Sequence, residues 1–230
     1  AILYDTGAAY DSGFNMIEAV VLPYLQFAGI QRLDKVIISH GDNDHAGGLK
    51  ILQQSIMIDE LIYNTKINTE SGFCLQGEFI FWQNLTIEML WPDQKIAQEN
   101  DDSCVLLITD NKHKVLLTGD ISKKIESKLM QKYPSLQADV LIVPHHGSKT
   151  SSSKMFIEQV NPKIAVVSAG FLNRWRMPVI EVVNRYQQHH IQLLNSAKLG
   201  QITINFSENG VSYYTYHDNL WPFWFAKSSW

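Results

Sequence analysis

The chain alternates between short apolar runs and polar turns, and the runs come in two kinds. The first kind is a short run of apolar residues, often β-branched, the pattern of a strand covered on both faces. Lys35-Val36-Ile37-Ile38-Ser39, Leu116-Leu117-Thr118 and Leu141-Ile142-Val143 belong to it. Met57–Tyr63, Glu78–Trp82, Leu85–Leu90, Cys104–Thr109 and Lys114–Thr118 predict a β-rich middle, with Asp110-Asn111 as a hairpin turn. Ala1–Tyr4 reads as a strand already under way. Ile164–Val167, Ile191–Leu194, Gln201–Phe206 and Val211–Tyr216 complete the strands. The second kind has helical spacing. Pro23 suits the first turn of a helix carrying Tyr24, Leu25 and Phe27, with Gly29 as its stop. Further helices are predicted near Leu49–Gln54, after Ser122 with Ile125, Leu129 and Met130 on one side, near Lys154–Val160, and near Val179–Gln187.

This order of strands and helices suits two mixed sheets packed face to face with helices outside. The 230 residues suffice for one ample domain, 1–230, without a linker or repeat. At 45% hydrophobic and 18% charged residues, the composition excludes disordered, collagen-like and coiled-coil classes. No apolar run reaches the roughly 18 residues that span a bilayer, and no basic stretch followed by an apolar one reads as a signal peptide. Cys74 and Cys104 are too few for a disulfide scaffold or a Cys-rich zinc site, though one bond between them is possible.

The net charge of −4 conceals an uneven distribution. Residues 1–120 hold 7 Lys+Arg against 17 Asp+Glu, net −10, and residues 121–230 hold 12 against 6, net +6. An acidic half suits cations and a basic half suits an anion such as phosphate.

Chemistry concentrates where apolar strands end. His40-Gly41-Asp42-Asn43-Asp44-His45 follows Lys35–Ser39 directly and sets nitrogen and oxygen donors in one Gly-flanked turn. Such donors bind divalent cations when they converge. Asp120 follows Leu116–Gly119, and His145-His146 follow Leu141–Pro144, in equivalent positions. Ser148, Lys149 and Ser151-Ser152-Ser153 make a small polar loop suited to a phosphodiester. Asn173-Arg174-Trp175-Arg176 offers two guanidiniums and an aromatic face.

Taken together, these segments resemble the metallo-β-lactamase superfamily. His40–His45 is similar to its HxHxDH signature with Asp42 in place of the middle histidine, and Asp5-Thr6-Gly7, Thr118-Gly119-Asp120 and Pro144-His145-His146-Gly147-Ser148 are similar to its other motifs. With Asn100-Asp101-x-Ser103, the set resembles most closely the C-terminal domains of ComEC, the bacterial DNA-uptake channel proteins. The resemblance covers residues 1 to about 206. It implies an α/β fold, the αββα sandwich, with the fold's first strand lying upstream of residue 1. It implies a two-cation site: one ion held by His40, Asp42 and a group near Asn100-Asp101, the other by Asp44, His45 and His146, with Asp120 bridging. Asp44 and His145 take the catalytic roles, and Asn100, Ser103, Ser148, Lys149 and Arg174 face substrate. A harder, carboxylate-rich ligand set shifts preference from Zn²⁺ toward Mn²⁺, with Zn²⁺ still possible.

The expected activity is a nuclease cutting DNA phosphodiesters during uptake, degrading the strand not imported. Its partners are the DNA backbone and the rest of the channel, with no nucleotide cofactor. The same site could serve a small phosphodiester, a phosphocholine ester or a lactone. Met177-Pro178 stands where the branch often has His-Pro, which keeps open a weakly catalytic DNA-binding or gating module. The expected location is a soluble domain of an inner-membrane protein, on the outer face. The aromatic tail Leu220–Phe225 is expected to pack back on the domain.

Overall fold

The computed structural model describes residues 1–63, 72–94 and 100–220. Strand β1 (Ile2–Tyr4) leads through a π-helical turn into helix α1 (Leu22–Phe27), then β2 (Arg32–Ile38), α2 (Asn43–Ala46), α3 (Leu49–Ser55) and β3 (Met57–Tyr63). The middle comprises β4 (Phe79–Trp82), β5 (Leu85–Trp91), β6 (Val105–Thr109) and β7 (Lys114–Leu117). Helix α4 (Lys123–Lys132), β8 (Val140–Ile142), α5 (Lys154–Val160), β9 (Ile164–Val167), α6 (Ile180–Gln188) and β10 (Gln192–Asn195) follow in alternation. Helix α7 (Ser196–Leu199) and the hairpin β11 (Ile202–Ser207) and β12 (Gly210–Thr215) come last.

Two main sheets result. One has the order β1-β2-β3 and is parallel throughout; the other has the order β10-β9-β8-β7-β6-β5-β4. Strands β4 to β7 pair antiparallel, as tight turns permit, and β7 to β10 pair parallel because a helix intervenes at each step.

Side-chain alternation builds four layers from this. Ile37 and Ile62 of the small sheet meet Ile80, Ile87, Met89 and Leu106 of the large one, forming the central core. The opposite face of the small sheet (Leu33, Val36, Ile38) packs on Ile17, Leu25 and Leu52. The outer face of the large sheet (Val105, Leu116, Leu141, Val167) packs on Ile125 and Leu129 of α4, Phe156 and Val160 of α5, and Val182 and Tyr186 of α6. Near β8–β10 the inner face (Val140, Ile164, Leu194) is covered by Ile202, Ile204 and Val211 of the hairpin. Each fully buried Leu, Ile or Phe contributes roughly 1.5–3 kcal/mol of transfer free energy, so continuous apolar strands with helices on both outsides dictate this stacking. The αββα arrangement predicted from sequence is therefore observed.

The structure adds two short helices and one bond to the sequence reading and leaves one expectation outside the described residues. Helices α2 and α7, four residues each, have no periodicity to reveal them. The two cysteines form a disulfide, Cys74–Cys104, within the central core. Residues 221–230, which include most of the aromatic tail, lie outside the described residues.

Candidate metal centre

The parallel strands deliver their carboxyl ends to one rim. Asp5 follows β1, Ser39-His40 follow β2, Asp120 follows β7, His145-His146 follow β8, and Ser168 follows β9. Ligand sites of open α/β sheets characteristically form at such ends.

Two local devices turn the side chains inward. His145 and His146 both have left-handed backbone (φ 50° and 52°), followed by Gly147 at φ 79°. The chain thereby curls tightly enough to present two consecutive imidazoles. A Cβ on Gly147 would lie 2.5 Å from Pro178 Cβ, so only glycine lets the segment after the histidines pass Pro178. Gly119, at φ 52°, has the same role before Asp120, since a Cβ there would sit 2.7 Å from Ser103 Cβ.

The ring orientations follow from what each Nδ1 meets. His45 Nδ1 lies 2.8 Å from Asp5 Oδ2, and His146 Nδ1 lies 2.7 Å from the Ser168 carbonyl. Both partners are pure acceptors, so both Nδ1 atoms carry hydrogen, and Nε2 of each ring, turned to the rim, is the atom that a cation would take in exchange for a proton. Ser39 Oγ donates to Asp5 Oδ2 (2.9 Å), which leaves its lone pairs for His40 Nδ1 at 3.0 Å. His40 then also points a free Nε2 inward. This atom is buried and has no hydrogen-bond partner. Asp5, itself at φ 62°, thus sets the proton positions of two histidines, directly and through Ser39. Fixed tautomers with outward-anchored Nδ1 atoms are the arrangement that metal-ligating histidines adopt.

The convergence is tight. His45 Nε2 is 3.2 Å from Asp120 Oδ1 and 3.3 Å from His146 Nε2. His146 Nε2 is 3.4 Å from Asp44 Oδ2 and 3.6 Å from Asp120 Oδ2. Two triads have ligand atoms within 4.8 Å of one another: His40, His45 and Asp120; and Asp44, His45 and His146. Asp42, the N-cap of α2, brings Oδ2 to 3.7 Å from His40 Nε2. The orphaned His40 nitrogen and the crowding of nitrogens against carboxylates fit divalent cations.

Electrostatics agree with that fit. Burial pushes the His45 imidazole down, but the Asp120 and Asp5 carboxylates outweigh it and raise its pKa to about 10. His40 is lowered, first by burial and then by neighbouring His45. The hydrogen bond from His146 holds Asp44 well below the usual carboxylate range. Burial pushes Asp120 up, and its contact with His45 more than reverses this. Carboxylates gathered this closely, with Asp120 buried among them, call for positive charge between them.

His145 is the odd member. Its Nε2 stands 3.7 Å from Asp120 Oδ2 and 3.4 Å from Asn100 Nδ2, while Thr150 Oγ1 reaches its Nδ1 at 3.3 Å. It lies beside the triads without joining either one.

Three sequence expectations need correction. Asp101 enters neither triad, because its Oδ1 accepts from the Ser122 N–H at 3.0 Å and its carbonyl accepts from Trp91 Nε1. Ser103 does not face substrate. It is fully buried, donates to the Asn100 carbonyl, and accepts from the Asp120 N–H at 3.0 Å, so it props the site from beneath. Ser148 is also buried, 3.0 Å from Thr150 Oγ1. The loop after it turns inward, where Glu126 accepts from the backbone N–H groups of Ser152 and Ser153. Lys149 and Arg174 are exposed. Thr150 and Ser168 were missed, since neither a hydroxyl in a Ser-rich loop nor a backbone carbonyl carries a sequence signal.

Residues 1–170 match the model of the family described as "Metallo-beta-lactamase superfamily". The chain belongs to that superfamily. It is 38% identical to "Recombination protein 2" of Haemophilus influenzae over 98% of this chain and 29% of that protein. It is 35% identical to "Competence protein ComA" of Neisseria gonorrhoeae over 91% of this chain and 30% of that protein. The chain thus spans less than a third of the length of these relatives. Among solved structures, the metallo-β-lactamase fold protein YhfI of Bacillus subtilis aligns with a TM-score of 0.51 at 16% identity, covering 84% of this chain and 83% of that one, which supports the fold. These likenesses agree with the ComEC-type branch that the motifs resemble. No described helix is long and apolar enough to cross a membrane.

Proposed function

We propose that this metallo-β-lactamase superfamily domain is a metal-dependent phosphodiesterase that cuts the DNA backbone during DNA uptake. The carrying observation is the convergence of His40, His45, His146, Asp44 and Asp120 on one rim, with a buried His40 nitrogen left for a cation. The names of the competence and recombination relatives direct the reading toward DNA. His40, Asp42, His45, Asp44, His146 and Asp120 would hold two divalent ions, with Mn²⁺ preferred for the carboxylate share. When bound, such ions supply Lewis acidity to an in-line phosphoryl displacement.

The chain's own residues complete the chemistry. Asp44 lies at the half-open mouth, its carboxylate kept ionised by His146, where it orients the attacking group. His145, held at Nδ1 by Thr150, is placed beside the mouth to act as proton donor to the departing oxygen. Lys149 and Arg174 meet phosphates from the basic half of the chain. The remaining length of such a protein would tether this domain to the inner membrane, on its outer face, with the channel as partner.

The purified chain with Mn²⁺ is expected to cut single- or double-stranded DNA, and Asp44→Ala to abolish cutting. Intact DNA with the unsubstituted chain under Mn²⁺, Zn²⁺ and Mg²⁺ overturns the proposal.

A further inference from the structure

Residues 170–177 form a loop that presents an unusual surface. Phe171, Leu172 and Trp175 are 76%, 86% and 58% exposed, and Arg174 and Arg176 flank the indole. The Arg174 guanidinium lies 4.1 Å from the Trp175 ring centroid, and Trp175 remains 58% exposed.

The loop is held from within. Asn173 Nδ2 donates to the Gly170 and Met177 carbonyls (3.0 and 2.7 Å), and its Oδ1 accepts from the Met177 N–H at 2.9 Å. The Arg176 N–H returns to the Asn173 carbonyl at 3.0 Å. One asparagine thereby closes the loop and presets its tip. Both stems then abut the histidine segment. Ser168 accepts from His146 on one side; on the other, the Val179 N–H donates to Gly147 O at 3.0 Å, with Pro178 seated against Gly147. Both stems of the loop that carries the exposed aromatic tip are thereby tied to the histidine segment of the metal centre.

We propose that this loop selects unpaired strands, with Trp175 stacking on a base next to the scissile phosphate and Arg174 and Arg176 holding the phosphates beside it. This deepens the phosphodiesterase reading and rests on it for the identity of the polymer. The physics favours a single strand. An unpaired base offers a free π-face, whereas a base in duplex already stacks on its neighbours. A preset aromatic surface with cations on both sides is the arrangement by which single strands are held without sequence preference. A membrane is the weaker occupant, because the loop's two stems are tied to the histidine segment of the site, beside which a polymer substrate must lie.

The test uses the full chain in an Asp44→Asn background, which retains substrate uncut, with Mn²⁺ present. Fluorescence anisotropy follows a labelled single-stranded 12-mer and a hairpin duplex. Trp175→Ala is expected to weaken single-strand binding by about 5- to 150-fold, the range of one base–aromatic stack, and duplex binding by much less. Trp175→Phe should restore most of the loss, which a merely structural role for the indole would not produce. Phe27→Ala, an 89% exposed aromatic elsewhere, serves as the control. Equal weakening on both DNAs, or none on the single strand, overturns the proposal. So does loss of binding to phosphatidylglycerol vesicles with single-strand binding intact. If the chain with Asp44 leaves DNA uncut while the Trp175 dependence persists, the phosphodiesterase reading fails and the loop's selectivity stands.

Discussion

Asp5→Asn probes how the site is assembled, because it changes one proton and almost no volume. In the native chain the Asp5 carboxylate accepts from the Ser39 N–H at 2.6 Å, the Ser39 hydroxyl at 2.9 Å and His45 Nδ1 at 2.8 Å. Asparagine keeps an acceptor for the Ser39 N–H, so the turn after β2 survives. Its amide nitrogen, however, now faces His45 Nδ1 and can only donate. The imidazole must therefore give up its Nδ1 hydrogen and carry it on Nε2, where it points at Asp120 and blocks the lone pair meant for a cation. Restoring the productive tautomer forces two donors together in a buried place. Losing one charge-assisted hydrogen bond of this kind costs about 1.5–3 kcal/mol, or roughly 10- to 150-fold in metal affinity. That agrees with the 10- to 100-fold losses typical when a histidine ligand's outer partner is changed. Titration of Mn²⁺ and Zn²⁺ against a fluorescent chelator at pH 7.5 measures it, with metal-free melting as the check on folding. An affinity within twofold of the unsubstituted chain, at unchanged melting, would show that His45 Nε2 does not ligate and refute the tautomer argument.

Other outcomes follow from the same geometry. His146→Ala should lower bound metal measured by elemental analysis, whereas His145→Ala should retain metal and slow DNA cleavage by about 10²- to 10⁴-fold; the reverse pattern would exchange their roles. Gly119→Ala should cost about 2–4 kcal/mol in urea denaturation, from left-handed backbone and the close approach to Ser103, and a cost under 1 kcal/mol would contradict that packing. For the metal-free chain, the raised pKa of His45 stabilises the fold fully below about pH 6.5, and this contribution is lost as pH climbs toward about 10. Over the same window the extra stability conferred by added Mn²⁺ should grow, since fewer protons compete for the nitrogen, and a melting increment that shrinks with pH would argue against metal at His45.

The architecture was legible because its strands are buried on both faces. Runs such as Leu116-Leu117 and Leu141-Ile142-Val143 admit no solvent face, and a polar residue straight after each run marks the strand's exit. That is why His40, Asp120 and His146 could be placed at one rim from sequence. The outer partners were less visible. Asp5-Thr6-Gly7 is similar to a superfamily motif, but the role of Asp5 is not visible until its two oxygens are seen to span Ser39 and His45, a contact across 40 residues. Ser103 and Ser148 have the composition of a substrate-facing loop, but burial decides their role, and burial is not written in a serine. Asp101 competes for a backbone N–H at Ser122 that no spacing rule announces.

The Cys74–Cys104 bond has a consequence for biogenesis. Cys104 donates its N–H to the Ser39 carbonyl and accepts from Tyr4 Oη, so the cross-link sits one step beneath His40. Such bonds endure in oxidising surroundings and are rare where glutathione keeps sulfur reduced. On the proposed outer face of the membrane the floor beneath the cation pocket would be sealed on export, and alkylation of whole cells before lysis would test this by separating bonded from reduced molecules.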